Sequence, residues 1–297
     1  MGQPPARHRN ALDSSAVSDP HDQTDPAHNR AAARHERDQA DKPTFTREGR
    51  AVSRAVALAL APVIVPQSRE LRESIPVLPE APAPWRGSAG PRGDDAPVRL
   101  LVLGDSTAAG VGVDHARLGL GGQLAEALSE ATARRVLWRA SGRSGATARD
   151  LIARHLRPAL RERTTVVFLT VGANDALAVR SARGFRRDVG HIVDKVFDSH
   201  PDAVLLMSSL PAFFRFRGLP EPLRSTLYRH SQALEHEARE LIDAHPRAHM
   251  SPPPPPYTEG FFAVDDFHPS ALGYRDWAQF AVADALESPV GPLLREA

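Results

Sequence analysis

The chain has 297 residues, 37 of them basic and 36 acidic, so its formal net charge of +1 gives no field strong enough to gather nucleic acid or an anionic surface. It contains no cysteine, which excludes disulfides and thiolate chemistry and leaves an oxygen or an amine as the side-chain nucleophile, if there is one.

Residues 1–43 are rich in Ala, Arg, Asp, His and Pro and nearly devoid of large apolar side chains. Such a segment cannot bury enough surface to offset the entropy of ordering, and a disordered tail is expected. Its histidines, His8, His21, His28 and His35, stand at irregular spacing that does not suit a metal site. The next segment, 44–97, contains AVSRAVALALAPVIV, Ala51 to Val65. Its uninterrupted apolar part is about 11 residues, against about 20 for a bilayer span, so it reads as a short helix packed on the domain. A membrane-surface anchor is the alternative, favoured by the flanking Arg47, Arg50, Arg54, Arg69 and Arg72. A cytoplasmic location is expected, with peripheral membrane contact through this segment as the other reading. Prolines 66, 76, 79, 82, 84, 91 and 97, with Gly87, Gly90 and Gly93, mark residues 66–97 as a linker.

From Val98 to about residue 290 the pattern changes. Short runs apolar on both faces, expected as buried parallel strands, occur at Val98 to Leu103, Arg135 to Arg139, Thr165 to Val171, Ala203 to Ser208 and, weakly, Ala248 to Ser251. Helical patterns fall between them at Leu118 to Thr132, Thr147 to Leu160, Ala182 to His200, Pro222 to His245 and Ser270 to Glu287. Strict alternation of this kind predicts a parallel sheet covered on both sides, with ligands bound beyond the carboxyl ends of the strands.

The residues with chemistry to offer stand at those ends. Ser106 lies in GDSTAAGVG, Gly104 to Gly112, directly after the first strand, where turn amides favour developing negative charge. His268 precedes Pro269 and Ser270, a candidate N-cap for the last helix, and Asp265 three residues upstream is placed to fix its tautomer; Asp266 is the competing carboxylate. Asn174, in GAND, offers an amide that donates without titrating, although Asn174 and Asp175 also suit a plain turn. Gly145, in SGAT, allows close approach of a backbone N–H to a substrate oxygen, or simply makes a turn. Phe213, Phe214 and Phe216 are candidates for an acyl pocket or for core packing, and Leu219 to Leu227 for a further specificity wall. Pro252 to Pro256 reads as a stiff surface spacer. GVGVDHARLG lacks the glycine spacing of a dinucleotide fingerprint.

In this order and placement, the GDS, GAND and DxxHP blocks resemble the SGNH hydrolases, also called GDSL esterases and lipases, over about residues 98–287. The resemblance implies an α/β fold, a flavodoxin-like three-layer α/β/α sandwich with a parallel five-stranded sheet, and no metal or cofactor. It implies Ser106, Asp265 and His268 as catalytic residues, with an oxyanion hole formed by the Ser106 amide, the Gly145 amide and the Asn174 side chain. The expected activity is hydrolysis of carboxylic esters of small or medium acyl chain through an acyl-enzyme. An acyltransferase, a membrane-associated lysophospholipase or thioesterase, and a non-catalytic binding module are the other readings. One departure stands out: many members carry an asparagine shortly before the second-block glycine, where this chain has Arg139, Ala140 and Ser141. Ser141 is the candidate to replace that loop-tying hydrogen bond, so the departure bears on the rigidity of the loop and not on the nucleophile.

Overall fold

The computed structural model describes residues 45–297 apart from positions 94, 217, 255 and 256, and Gly2 from the preceding stretch. The predicted tail and its four histidines lie outside the described residues.

The chain opens with three helices, α1 (Arg47–Ala51), α2 (Ser53–Ala59) and α3 (Ala61–Ser74), followed by β1 (Arg86–Ala89) and β2 (Val98–Gly104). It continues through α4 (Leu120–Thr132), β3 (Val136–Gly142), α5 (Ala148–Asp150), a π-helical stretch over Leu151–Leu156, α6 (Arg157–Ala159) and β4 (Val166–Thr170). Then come α7 (Ala173–Leu177), α8 (Ala182–Ser199), β5 (Val204–Met207), α9 (Leu223–Asp243), β6 (Ala248–Met250), α10 (Ala271–Glu287) and α11 (Gly291–Glu296).

The sheet order is β1-β3-β2-β4-β5-β6, with β2 through β6 parallel. Alternation along the strands divides the apolar side chains between two cores, because successive residues of a strand point to opposite faces. Leu101, Leu103, Val167, Leu169, Leu205 and Met207 face α8, α9 and the π-helical stretch. Leu100, Val102, Val166, Phe168, Val204 and Leu206 face α4 and α10. The three-layer architecture follows from strands that are apolar on both sides, and the central strands β2, β4 and β5 are almost wholly buried.

Two expectations for the N-terminal segment need correction. The sheet has six strands and not five: residues read as linker supply β1, which runs antiparallel to β3 with Arg86 opposite Arg139 and Ala89 opposite Val136. RGSA has no apolar periodicity to announce a strand; backbone pairing holds it, and Gly87 leaves room for the Trp138 indole, whose Nε1 a Cβ there would approach to 2.9 Å. The apolar stretch is three short helices, continuing past Pro66 to Ser74. They lie on α9. The Ser53 hydroxyl is 3.1 Å from His230 Nδ1, and the other ring nitrogen of His230 is 2.9 Å from the Arg180 carbonyl. Burial lowers the pKa of that imidazole, so in its neutral form it donates to the carbonyl and accepts from the serine. Ile64 joins the core, while Val52, Leu58, Val63 and Val65 remain exposed. Among the described residues, no helix is long and apolar enough to cross a membrane.

Candidate active site

Ser106 sits two residues past β2. Gly104 makes this possible: a Cβ there would lie 2.4 Å from the Thr170 carbonyl oxygen, so only glycine lets the ends of β2 and β4 come this close. The Asp105 N–H donates to that same carbonyl at 3.2 Å. The Asp105 carboxylate then folds the turn, accepting from the Thr107 N–H and hydroxyl, both at 3.1 Å, while the Thr107 hydroxyl is 2.8 Å from that of Thr170. Burial pushes the Asp105 carboxyl above the ordinary carboxylate range, against the pull of the Thr107 bonds.

His268 arrives from the far end of the chain. Its Nε2 is 2.9 Å from the Ser106 hydroxyl and its Nδ1 is 2.6 Å from Asp265 Oδ2. The other carboxylate oxygen, Oδ1, accepts from the backbone N–H groups of Phe267 and His268 at 3.0 and 2.9 Å. Asp265 is 4% exposed, so this carboxylate has few partners besides those donors. A carboxylate only accepts, so Nδ1 carries the proton and Nε2 is free to take one from the serine. Asp266, the rival, turns away at φ +52°, a left-handed conformation that closes the turn. The loop is joined to the serine turn as well: the buried Tyr274 hydroxyl donates to the Val111 carbonyl at 2.7 Å, and Gly112 packs so tightly that a Cβ would come within 2.4 Å of the Pro269 carbonyl oxygen. Ser270 caps α10 as expected, accepting from Gly273 N–H at 3.2 Å.

The other two blocks converge on the same turn. The Asn174 side-chain amide donates to Asp105 Oδ2 at 3.3 Å and to the Ala146 carbonyl at 3.1 Å, bridging the neighbours of Ser106 and of Gly145. Asp175 reaches back 27 positions to accept the Ala148 N–H at 2.9 Å, and its burial pushes its carboxyl up to about 6. Gly145 has φ +81°, and a Cβ built on it would meet nothing within 4 Å, so the glycine serves backbone conformation over open space. In both turns the flanking amides are satisfied: Asp105 and Thr107 on one side, Ser144 (to Glu80, 2.7 Å) and Ala146 (to Arg143, 3.1 Å) on the other. Among the described residues, the N–H groups between them, Ser106 and Gly145, have no acceptor. Gly145 is exposed and Ser106 mostly buried, and neither N–H is committed to an acceptor within these turns.

Beside Ser106 and His268 lies a mainly apolar cavity of about 80 Å³. Phe216 lines it, but Phe213 is fully buried in the core and Phe214 packs on Tyr228 with ring centroids 4.8 Å apart, so two of the three predicted wall residues are structural. Leu219, Leu223 and Leu227 are also core residues. The wall that sequence reasoning missed is Tyr257, Phe261, Phe262 and Phe267, with Trp277 and Leu210. A signal was available: in a chain only 6% aromatic, four rings within 11 residues of His268, outside any strand or helix pattern, is a concentration that calls for a reason. Pro254, predicted as part of a spacer, lines the cavity too, its carbonyl accepting from Arg215 at 2.6 Å. A larger surface hollow of about 610 Å³ near Arg117 and Arg275 holds none of these residues.

A comparison with family models matches residues 102–275 to the GDSL-like lipase/acylhydrolase family. No curated protein sequence matches the chain. Among solved structures, a lipase from a goat rumen metagenome, Lip_vut3, is 17% identical with a TM-score of 0.49, the match covering 63% of this chain and 97% of that one. The acetylxylan esterase Axe2 from Geobacillus stearothermophilus is 19% identical with a TM-score of 0.47, over 65% of this chain and 96% of that one. The esterase EstA from Pseudoalteromonas sp. is 16% identical with a TM-score of 0.47, over 64% and 96%.

Proposed function

Because this chain belongs to the GDSL-like lipase/acylhydrolase family, we propose that it is a carboxylic ester hydrolase working through an acyl-enzyme on Ser106. The observation that carries the reading is the continuous relay from the Ser106 hydroxyl to His268 at 2.9 Å and on to Asp265 at 2.6 Å. Ser106 Oγ attacks the ester carbonyl carbon as its proton passes to His268 Nε2. Asp265 holds the imidazole in the receiving tautomer and stabilises the imidazolium. The oxyanion takes the two unpaired N–H groups of Ser106 and Gly145, and the Asn174 amide exchanges its longer bond, the 3.3 Å contact to Asp105, for the same oxygen. Collapse breaks the bond to the alkoxide, which leaves with the proton from Nε2. Water then attacks the acyl-enzyme by the same route in reverse, releasing the acid and restoring Ser106.

The cavity favours a short acyl group: about 80 Å³ is far below the several hundred Å³ of sites for larger ligands, and its aromatic lining suits an apolar chain. The test is hydrolysis of a p-nitrophenyl ester series from acetate to octanoate by the wild type and Ser106→Ala. The wild type is expected to be most active on the shortest esters and the variant to lose about 10⁴-fold or more in kcat. Equal rates in both proteins would remove Ser106 as nucleophile, and a preference rising to octanoate would remove the short-chain assignment.

A further inference from the structure

Glu80 lies ahead of the region that matches the family model, in a stretch whose composition reads as linker. One of its carboxylate oxygens nevertheless accepts the Ser144 N–H at 2.7 Å, across 64 positions. The residues after it are sewn to the sheet in sequence. Ala81 is buried and its N–H donates to the Ala109 carbonyl at 3.0 Å, on the turn that carries Ser106. Gly110 in that turn accommodates it, since a Cβ there would come within 2.9 Å of Ala81 Cβ. The Trp85 indole returns to the Ala81 carbonyl at 2.7 Å, the Trp85 carbonyl takes the Ala140 N–H at 2.9 Å, and β1 follows directly along β3. Glu80 is thus the end of an anchored strap, delivered to the exit of β3.

Its partner matters for chemistry. The peptide that links Ser144 to Gly145 carries the unpaired Gly145 N–H, and its orientation depends on how the turn 143–146 is held. On one side Asn174 grips the Ala146 carbonyl at 3.1 Å. On the other, Glu80 grips the Ser144 N–H. The Ser141 hydroxyl, the tie suggested by sequence, makes no hydrogen bond among the described residues. We propose that Glu80 is a positioning residue for the oxyanion side of the site, fixing the aim of the Gly145 N–H through Ser144 in place of a tie from within the β3 loop. The inference rests on the ester-hydrolase reading above.

A misaimed donor weakens the transition state and leaves ground-state binding alone, so the effect belongs in kcat. Glu80→Ala is expected to lower kcat about 10- to 100-fold on p-nitrophenyl acetate with KM within about threefold, and to slow fluorophosphonate labelling of Ser106 by a similar factor. Glu80→Gln keeps an oxygen to accept from Ser144 and is expected to remain within about threefold of wild type. Glu80→Asp, which retains the charge but withdraws the oxygen by one methylene, serves if the alanine variant misfolds, and its kcat should fall as well. An unchanged kcat in the alanine or aspartate variant, a loss confined to KM, or a glutamine variant as impaired as the alanine one overturns the proposal. A wild type inert to every ester and to the probe defeats the hydrolase reading and this proposal with it, whereas an active wild type with unaltered variants defeats the positioning role alone.

Discussion

Asp265 finds its partners within three residues of itself, in Phe267 and His268, whereas Asn174 and Glu80 reach theirs across 28, 69 and 64 positions. The proposed acid–base side of the cleft is a local device: a pentapeptide, Asp265 to Pro269, folds its own carboxylate under its own imidazole, and the fold has only to bring that unit to Ser106. The proposed oxyanion side is not contained in any one segment. It exists only where the ends of β2, β3 and β4 and the strap before β1 meet. The difference teaches that the proposed proton relay is built by proximity in sequence, and the proposed oxyanion donors are held by the topology of the sheet.

Substitutions can test that contrast. The largest effect is expected from Asp265→Asn, which keeps an oxygen for the Phe267 and His268 N–H groups and so preserves the local loop, but presents the wrong partner to Nδ1. Steady-state kinetics on a p-nitrophenyl ester should show kcat lowered about 10⁴-fold. A loss under tenfold would mean that the carboxylate is only a loop former. On the other side, Asn174→Ala removes one donor and two long-range bonds together, and kcat should fall about 10²- to 10³-fold with little change in KM. If KM rises instead and kcat holds, Asn174 is a scaffold residue and the oxyanion is stabilised without it.

The smallest expected effect concerns the long-range side alone and is read in stability. Burial raises the Asp175 carboxyl to about 6 from 3.8, so the folded state holds this proton more tightly than the unfolded chain does. The stabilisation from this group is complete below about pH 4 and is lost as pH rises through about 6. Asp175→Asn, which still accepts from Ala148 and carries no charge, should therefore match wild type near pH 4 and gain on it toward pH 7, by up to about 3 kcal/mol. Urea unfolding of both proteins at the two pH values checks this. A difference independent of pH would place the titration elsewhere.

The same contrast explains what was legible from sequence. The five parallel strands were readable because strands buried on both faces are continuous apolar runs, and the observed bounds lie within a few residues of the expected ones. Ser106, Gly145, Asn174, Asp265 and His268 were readable as candidates because each sits in a short word at a strand end or a helix entrance. β1 was hidden, since Arg86 to Ala89 has nothing apolar to alternate and is held by backbone pairing. Glu80 was hidden for a related reason: a carboxylate in a proline-rich stretch has no local mark of a partner 64 positions away. The cavity wall was misplaced because Phe213 and Phe214 follow a strand as site residues should, yet α9 covers them, and Tyr257, Phe261 and Phe262 come from an irregular loop with no periodicity to read.

β1 has a second consequence, for solubility. β3 is seven residues long, and without β1 its outer backbone would be an open template on which another molecule could pair. The four-residue ribbon that covers it is short, polar and carries an exposed arginine, Arg86, which makes a poor docking edge for a further strand. The opposite margin of the sheet, β6, is only three residues long. A fragment begun at β2 would keep every proposed reacting group and still lose this guard, leaving it prone to edge-to-edge self-association.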